Sequence, residues 1–401
     1  MPEALIVATA RSPIGRAYKG SMTQMRADDL VATIIEAAMA KVPQLTPTDV
    51  EDLVLGCGLP GGEQGYNMAR VVTTLLGWQV PGTTVTRYCS SSLQSTRMAF
   101  HAIKAGEGDI FVSAGVEMVS RFLKGHSDSF PDTKNPRFGE AQARTARLAE
   151  LGAETWEPTD ELADIYIPMG QTAENLALYK DVSREAMDDF AYTSQVRYAK
   201  AAAHGFWARE IVPIRLPDGT MMSADESPRA ADRDRMRQLE PVFQPGGRVT
   251  AGNACPLNDG AAVIVVMSDT RARELGITPL ARIVSTAVSA LHPEIMGYGP
   301  VEASRIALER AGATIDDMDI VEINEAFAAQ VIPSADDLGV DFERLNPHGG
   351  AIALGHPYGM TGARITGTLI NGLQCRDGTL GLETMCVGGG QGMAMVIERL
   401  S

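Results

Sequence analysis

A chain that repeats itself is constrained to fold as two copies of one unit, and residues 46–56 (TPTDVEDLVLG) return about 268 positions later as residues 314–324 (TIDDMDIVEIN). Each copy reads as a capped turn followed by a buried strand. Upstream of each lies an amphipathic helix, LVATIIEAAMAKV from Leu30 and VEASRIALERAGA from Val301, and upstream of each helix lies a strand, ALIVATA from Ala4 and LARIVSTAVSA from Leu280. Downstream, a glycine-marked turn leads into a second helix (residues 90–105 and 361–373) and then another strand (residues 109–114 and 379–386). Two βαβαβ halves are therefore duplicated. Alternating strands and helices favour largely parallel sheets covered by helices. The repeat thus predicts an α/β protein with two sheets that share an interior, and sites at their junction.

The pattern breaks over residues 121–250, where charged, loop-rich stretches (HSDSFPDTKNPRFGEAQ, SADESPRAADRDR) alternate with helical ones (TAENLALYK, SREAMDDF). This part is expected to be an inserted loop domain covering the site, with residues 1–120 and 251–275 as the N-terminal half and residues 276–401 as the C-terminal half. Ser183 opens the run SREAMDDF with Ala186, not Glu, three residues on, so its capping box is incomplete. Composition agrees with a layered fold: 45% hydrophobic, 21% charged and only 5% aromatic residues exclude disorder, collagen and coiled coil. The net charge of −15, with basic residues scattered, argues against nucleic acid or an anionic membrane surface as a partner. No segment approaches the roughly 18 consecutive apolar residues of a membrane span, and the start lacks a signal pattern, so a cytoplasmic location is expected.

Five cysteines, Cys57, Cys89, Cys255, Cys375 and Cys386, are odd in number and show no short paired spacing, which argues for thiols, not a disulfide framework or a zinc site. Two have a chemical context. Cys89 lies in TTVTRYCSSSLQSTRMAFHAI, where a β-branched strand ends and a helix begins, so the unpaired N–H groups and dipole of the helix start are expected to favour thiolate. Three further segments are denser in polar or glycine residues than packing requires: NEAFAA from Asn324, NPHGGAIALGHPYGMTGAR from Asn346, and CVGGGQG from Cys386. Glycine at that density lets backbone approach a ligand and frees N–H groups to face an oxyanion.

Cys89 in its segment, Asn324 in NEAF, His356 in GGAIALGHP and Cys386 in CxGGG resemble the thiolase family, in the family's order and over essentially the whole chain. The resemblance implies duplicated halves in a layered α/β/α/β/α architecture with a loop-rich insertion. It also implies a two-step Claisen exchange between acyl-coenzyme A thioesters. Cys89 would attack the carbonyl and form an S-acyl enzyme that keeps thioester energy. His356 would take the Cys89 proton. Cys386 would act as acid and base on the α-carbon, and Asn324 would fix a water that, with His356, stabilises the enolate oxygen. The N–H groups of Cys89 and Gly388 would hold the oxyanion of the acylated cysteine. No metal and no permanently bound cofactor are implied; coenzyme A and acyl-CoA are the substrates, and a homodimer or homotetramer is the implied assembly.

By the same resemblance, coenzyme A contacts fall on Met169 in PMGQTAEN, Arg229 in DESPR, Ala251 and Cys255 in TAGNACPLND, and Ala326, Phe327 and His348. Arg229 offers a local cation for the coenzyme's phosphates on an acidic protein. Cys255 stands where many relatives have serine, Pro168 where some acetoacetyl-specific relatives have histidine, and His348 where asparagine is common. Cys375, which opens the charged turn CRDG, is read as structural. The motifs are most similar to the 3-ketoacyl-CoA branch. A synthetic acetoacetyl-CoA thiolase is the alternative, and a binding protein of thiolase descent that has lost turnover is the non-enzyme one. NEAF and Cys386 argue against a 3-ketoacyl synthase. Phe122, Phe130, Phe138, Trp156 and Tyr166 of the insertion are the candidates for shaping an acyl pocket wider than two carbons.

Overall fold

The computed structural model describes residues 2–122 and 133–401. The N-terminal copy runs β1 (Ala4–Arg11), β2 (Gly15–Arg16), α1 (Ala27–Met39), β3 (Asp52–Gly56), α2 (Met68–Leu75), β4 (Gly82–Val85), α3 (Ser91–Ala105), β5 (Ile110–Met118) and α4 (Val119–Phe122). Helices α5 (Gly139–Leu151), α6 (Met169–Tyr179) and α7 (Arg184–Ala203), the ribbon β6 (Ile214–Arg215) and β7 (Met221–Met222), and α8 (Arg233–Arg237) form the insertion. Strand β8 (Asn258–Ser268) and α9 (Asp269–Leu275) follow. The C-terminal copy runs β9 (Ala281–Ala290), α10 (Gly299–Ala311), β10 (Ile320–Ile323), α11 (Ala328–Leu338), α12 (Ala351–Leu354), α13 (Thr361–Arg376), β11 (Leu380–Val387) and β12 (Gln391–Arg399).

The repeat is built as the sequence predicts, down to its turns. Thr46 donates its N–H and hydroxyl to the Asp49 carboxylate at 2.8 and 2.7 Å, and Thr314 does the same to Asp317 at 2.8 Å each. At Ser183 the hydroxyl accepts the Ala186 N–H at 3.1 Å, so the cap forms without the reciprocal half of the box.

The sheet differs from the expectation of two largely parallel ones. Strand order is β10-β11-β12-β9-β1-β8-β5-β3-β4, a single path that reads alike outward in both directions from the β9/β1 seam. Pairing across that seam is short, with Leu5 opposite Arg282 and Ile6 opposite Ala281. Among the named strands of the described residues, parallel pairing joins β3 with β4 and β5, and β10 with β11, the pairs linked by helical crossovers. Strands β8 and β12 run antiparallel to both neighbours. The glycine turn after Cys386 explains one of them, because Gly389 and Gly390 adopt positive φ of 78° and 76° and reverse the chain directly into β12.

Three apolar clusters mark the layers. Leu30, Val31, Ile34 and Ile35 of α1 bury against Val263 and Val265 of β8 and Val112 and Ala114 of β5 on the outer face of the N-terminal half. Each such side chain contributes about 1.5–3 kcal/mol on burial. Val301, Ala307 and Leu308 of α10 cover the opposite outer face on Ala394 and Val396 of β12. Between the two halves, Leu93 and Ile103 of α3 and Ile365, Leu369 and Ile370 of α13 share one core, completing the α/β/α/β/α order. The two central helices approach closely because α13 carries Gly362 where any Cβ would lie 2.5 Å from the Leu93 backbone nitrogen. Both sequence motifs that precede these helices are thereby brought to one place.

Candidate active site

Cys89 lies in a 3-10 turn, Tyr88–Ser90, immediately before α3. Tyr88 has a φ of +44°, which a bulky side chain rarely adopts. Ser91, the first residue of α3, braces this turn: its hydroxyl donates to the Tyr88 carbonyl at 2.6 Å and accepts the Arg87 N–H at 2.9 Å. Burial pushes the Cys89 thiol up to about 12, against the pull of the Gly388 and Cys89 N–H groups that face the sulfur. The expected thiolate at a helix start is therefore overturned for the resting site, since desolvation outweighs the local N–H groups. A base is needed.

His356 is 1% exposed, in the loop between α12 and α13. Its Nδ1 lies 2.7 Å from Thr361 Oγ1, and that hydroxyl donates its hydrogen to the Pro357 carbonyl at 2.7 Å. A hydroxyl whose hydrogen is committed can only accept, so Nδ1 carries the ring proton and Nε2 keeps its lone pair. Asn324, just past β10, directs Nδ2 to that nitrogen at 3.4 Å, while its Oδ1 is buried with no partner among the described residues. Burial and the Arg364 guanidinium push the imidazole down to about 3, so it is neutral around pH 7.

Cys386, near the end of β11, is fully buried; burial, then the neighbouring sulfurs of Cys89 and Cys255, raise its thiol well above the usual range. Gly388 opens the turn that follows, and a methyl group there would meet the Tyr88 ring at 3.4 Å and the Met169 sulfur at 3.6 Å. Tyr358 stands edge-on to His356 at 5.1 Å, and burial followed by the Cys255 and Cys89 sulfurs raises its hydroxyl. Cysteines 89, 255 and 386 thus share one interior with His356.

The other candidate residues divide. Arg229 Nη2 donates to the Ala251 carbonyl at 3.2 Å, and both line a cavity of about 330 Å³ with Arg235, Met236 and Leu239. The segment around Cys255 runs beside NEAF: Ala254 bridges Phe327, and the Cys255 N–H donates to the Ala326 carbonyl at 3.0 Å. His348 stands apart. It stacks on Phe206 at 3.9 Å and lines a different cavity, which excludes it from the sulfur cluster.

Of the insertion's aromatics, Phe138 packs on Tyr166, and Trp156 on Tyr179 and His292, as anchors. Phe122 closes α4, and Phe130 lies outside the described residues. The side chain that meets Gly389 is instead Ile165, 3.3 Å from where a Cβ would stand.

Sequence reasoning missed Thr361 and Glu117. Glu117 is fully buried at the end of β5 and accepts the N–H groups of Gly58 at 2.7 Å, Leu59 at 3.1 Å and Gly359 at 2.8 Å, with the Gln64 amide at 3.2 Å. Burial pushes its carboxyl up to about 7 despite these donors. It ties the loop after β3 to the turn that follows His356. The available signal was a lone carboxylate in an otherwise apolar strand, IFVSAGVEM.

Comparison with known proteins places this geometry. Residues 4–270 match the family model "Thiolase, N-terminal domain" and residues 277–399 match "Thiolase, C-terminal domain". The chain is 42% identical to the 3-oxoadipyl-CoA/3-oxo-5,6-dehydrosuberyl-CoA thiolase of Escherichia coli K12, covering 100% of both chains. It is 40% identical to the 3-ketoacyl-CoA thiolase of Saccharophagus degradans, covering 99% of this chain and 98% of that one. The crystal structure of the dimeric peroxisomal thiolase of Saccharomyces cerevisiae superposes with a TM-score of 0.88 at 32% identity, covering 99% of this chain and 97% of that one. With both domain models matched across its length and two cysteines, a histidine and an asparagine gathered between the halves, the chain belongs to the thiolase family.

Proposed function

We propose that this thiolase, a CoA-dependent acyltransferase, cleaves 3-ketoacyl-CoA with acyl chains longer than acetoacetyl, through an S-acyl Cys89 intermediate. The observation that carries the cysteine's role is the Gly388 N–H facing the Cys89 sulfur with Cys386 beside it. His356 Nε2 takes the Cys89 proton on attack. The carbonyl oxygen then gains charge where the N–H groups of Cys89 and Gly388 converge. Cys386 gives its proton to the α-carbon of the leaving acetyl-CoA enolate; the Cys386 thiolate then takes the proton of an incoming coenzyme A thiol as its sulfur attacks the S-acyl carbonyl, and Cys89 leaves with the proton held on His356. Asn324, held against His356, keeps its Oδ1 free for the water assigned to the enolate oxygen. The cavity at Arg229 and Ala251 receives the coenzyme, walled from the insertion by Gln195, Arg235, Met236 and Leu239.

The side chains at the Gly388–Gly389 turn favour a longer acyl chain. Ile165 and Met169 are apolar, and Pro168, the cap of α6, offers no imidazole. Arg144, a cation of the same insertion, is engaged by Glu161 at 2.9 Å and Glu294 at 3.3 Å, so an apolar tail is favoured over a dicarboxylic one. The names of the relatives support both substrate types. Comparing kcat/KM for acetoacetyl-CoA, 3-ketohexanoyl-CoA and 3-oxoadipyl-CoA decides. Each well-packed methylene contributes ~0.8 kcal/mol, so 3-ketohexanoyl-CoA is expected to exceed acetoacetyl-CoA by roughly tenfold. A preference for acetoacetyl-CoA overturns this reading in favour of the synthetic enzyme.

The assembly proposed is a closed homodimer, alone or paired into a tetramer. Among the described residues strand β4 ends the sheet with an unpaired edge, and beside it α2 and the loop before it expose Leu75 and, at 77%, Tyr66. A monomeric mass in light scattering at micromolar concentration contradicts it.

A further inference from the structure

The cavity that claims His348 has a chemistry of its own. It encloses about 480 Å³, shares no lining residue with the cavity at Arg229, and sets Arg197, Lys200, Arg209 and Arg376 against a single carboxylate, Glu343. In a chain with 50 acidic and 35 basic residues, such under-neutralised crowding calls for a cause. Helix-end electrostatics accounts for Lys200 and Arg376, which lie in the last turns of α7 and α13. It does not account for the way the arginines are held.

Each guanidinium is anchored by neutral acceptors. Arg197 donates to the carbonyls of Leu345 at 2.5 Å and Phe342 at 2.8 Å, Arg376 to the Glu343 carbonyl at 3.0 Å, and Arg209 to Gln374 Oε1 at 2.7 Å. These bonds fix orientation without cancelling charge. Glu343 does little to neutralise them, because its side chain is 87% exposed and 3.9 Å from Arg197. Lys200 is exposed and its ammonium has no ion pair among the described residues. Arg376 and Arg197 also flank His348; burial, then these two cations, hold its ring down to about 4, so it enters the cavity as a neutral imidazole. Oriented cations with spare donors, beside a neutral ring, form a preorganised receptor for a planar or tetrahedral oxyanion.

We propose that this cavity is a second ligand site, distinct from the coenzyme cavity, and that it binds a diphosphate group, free as pyrophosphate or carried by a nucleotide. Size selects the diphosphate, since a cavity of about 480 Å³ holds more than one tetrahedral anion fills. The site is also wired to the catalytic loop: two residues before His348, Asn346 donates Nδ2 to Glu325 of NEAF at 2.9 Å, and the same carboxylate accepts the Ile352 N–H at 3.1 Å.

Isothermal titration of the full-length enzyme with inorganic pyrophosphate tests the site. Saturable binding is expected in the wild type and in Arg229→Ala, with a loss of about tenfold or more in affinity in Arg376→Glu and in Lys200→Glu. Both charge reversals are expected to keep wild-type thiolysis, and exposed Lys200 serves if Arg376→Glu does not fold. A parallel titration with ADP distinguishes the sources: tighter binding than pyrophosphate assigns a nucleotide, equal binding assigns the diphosphate alone. The proposal is overturned by absence of saturable binding, by loss in Arg229→Ala but not in the charge reversals, or by orthophosphate binding as tightly as pyrophosphate.

Discussion

The turns that open the two central helices share one design and serve opposite ends. Before α3, the turn Tyr88–Ser90 puts Cys89 at its middle, and the hydroxyl of Ser91 braces it from inside the helix. Before α13, the turn Tyr358–Met360 puts glycine at its middle, and the hydroxyl of Thr361 reaches back to hold the His356 ring. One copy braces a strained backbone around the proposed nucleophile; the other gives up the middle position and uses the equivalent hydroxyl to fix the proposed base. Duplication supplied the bracket twice, and the two copies divided the chemistry between them.

The division is tested most severely by removing the sulfurs. Cys89→Ser is expected to abolish both thiolysis, by on the order of 10³-fold or more, and the acetyl mass found on the Cys89 peptide after incubation with acetyl-CoA. Cys386→Ala should keep that label while losing solvent exchange of the acetyl-CoA methyl protons by roughly 10²-fold or more. Label on Cys375, or undiminished exchange in Cys386→Ala, breaks the assignment.

A smaller effect is expected where the copies meet. Glu117, on the N-terminal half, holds the Gly359 N–H of the C-terminal turn, so Glu117→Gln, which replaces an acceptor oxygen with an NH2 group facing other donors, should lower kcat by roughly tenfold. Its pH signature has a definite sign. With the folded pKa up at about 7 and an unfolded value of about 4.3, the native state binds the extra proton between those values. Glu117 therefore lowers stability as pH rises across that window and adds no slope above it. His356, pushed down to about 3, acts oppositely: its contribution is full above about 6.5 and is lost as pH falls. Urea unfolding of Glu117→Gln from pH 4.5 to 7 should show stability rising with pH more steeply than in the wild type. Parallel profiles would remove Glu117 as a titrating element.

The smallest effect sharpens the comparison instead of breaking it. Thr46→Ala and Thr314→Ala delete the same cap in the two copies, and each should lower Tm by about 2 °C, equally within error. Unequal shifts in differential scanning calorimetry would show that one half melts first.

The duplicated strands and helices were legible because capped turns and apolar periods are local. The direction of β8 was not, since the run AAVIVVM inside it reads as a buried strand whichever way it points, and one continuous sheet replaced two for that reason. At the candidate site, motifs pointed to Cys89, Asn324, His356 and Cys386, and the fold sets Asn324 against His356 and Cys89 near Cys386. His348 went astray because two histidines share one glycine-rich stretch, and only the fold shows that His348 turns toward Phe206. Glu117 and Thr361 act through partners far away or around a turn, which spacing does not reveal. The Cys89 expectation failed on magnitude: burial of a thiol outweighs the few N–H groups that face it.

Thr361 also dictates how protons travel. With Nδ1 tied to a hydroxyl that has no hydrogen left to exchange, the imidazole has one door. A proton accepted at Nε2 cannot leave on the far side of the ring toward solvent; it waits and returns through the same atom. In the proposed mechanism the ring is then a loan desk and not a relay, and what the first half-reaction deposits is there for the second to withdraw.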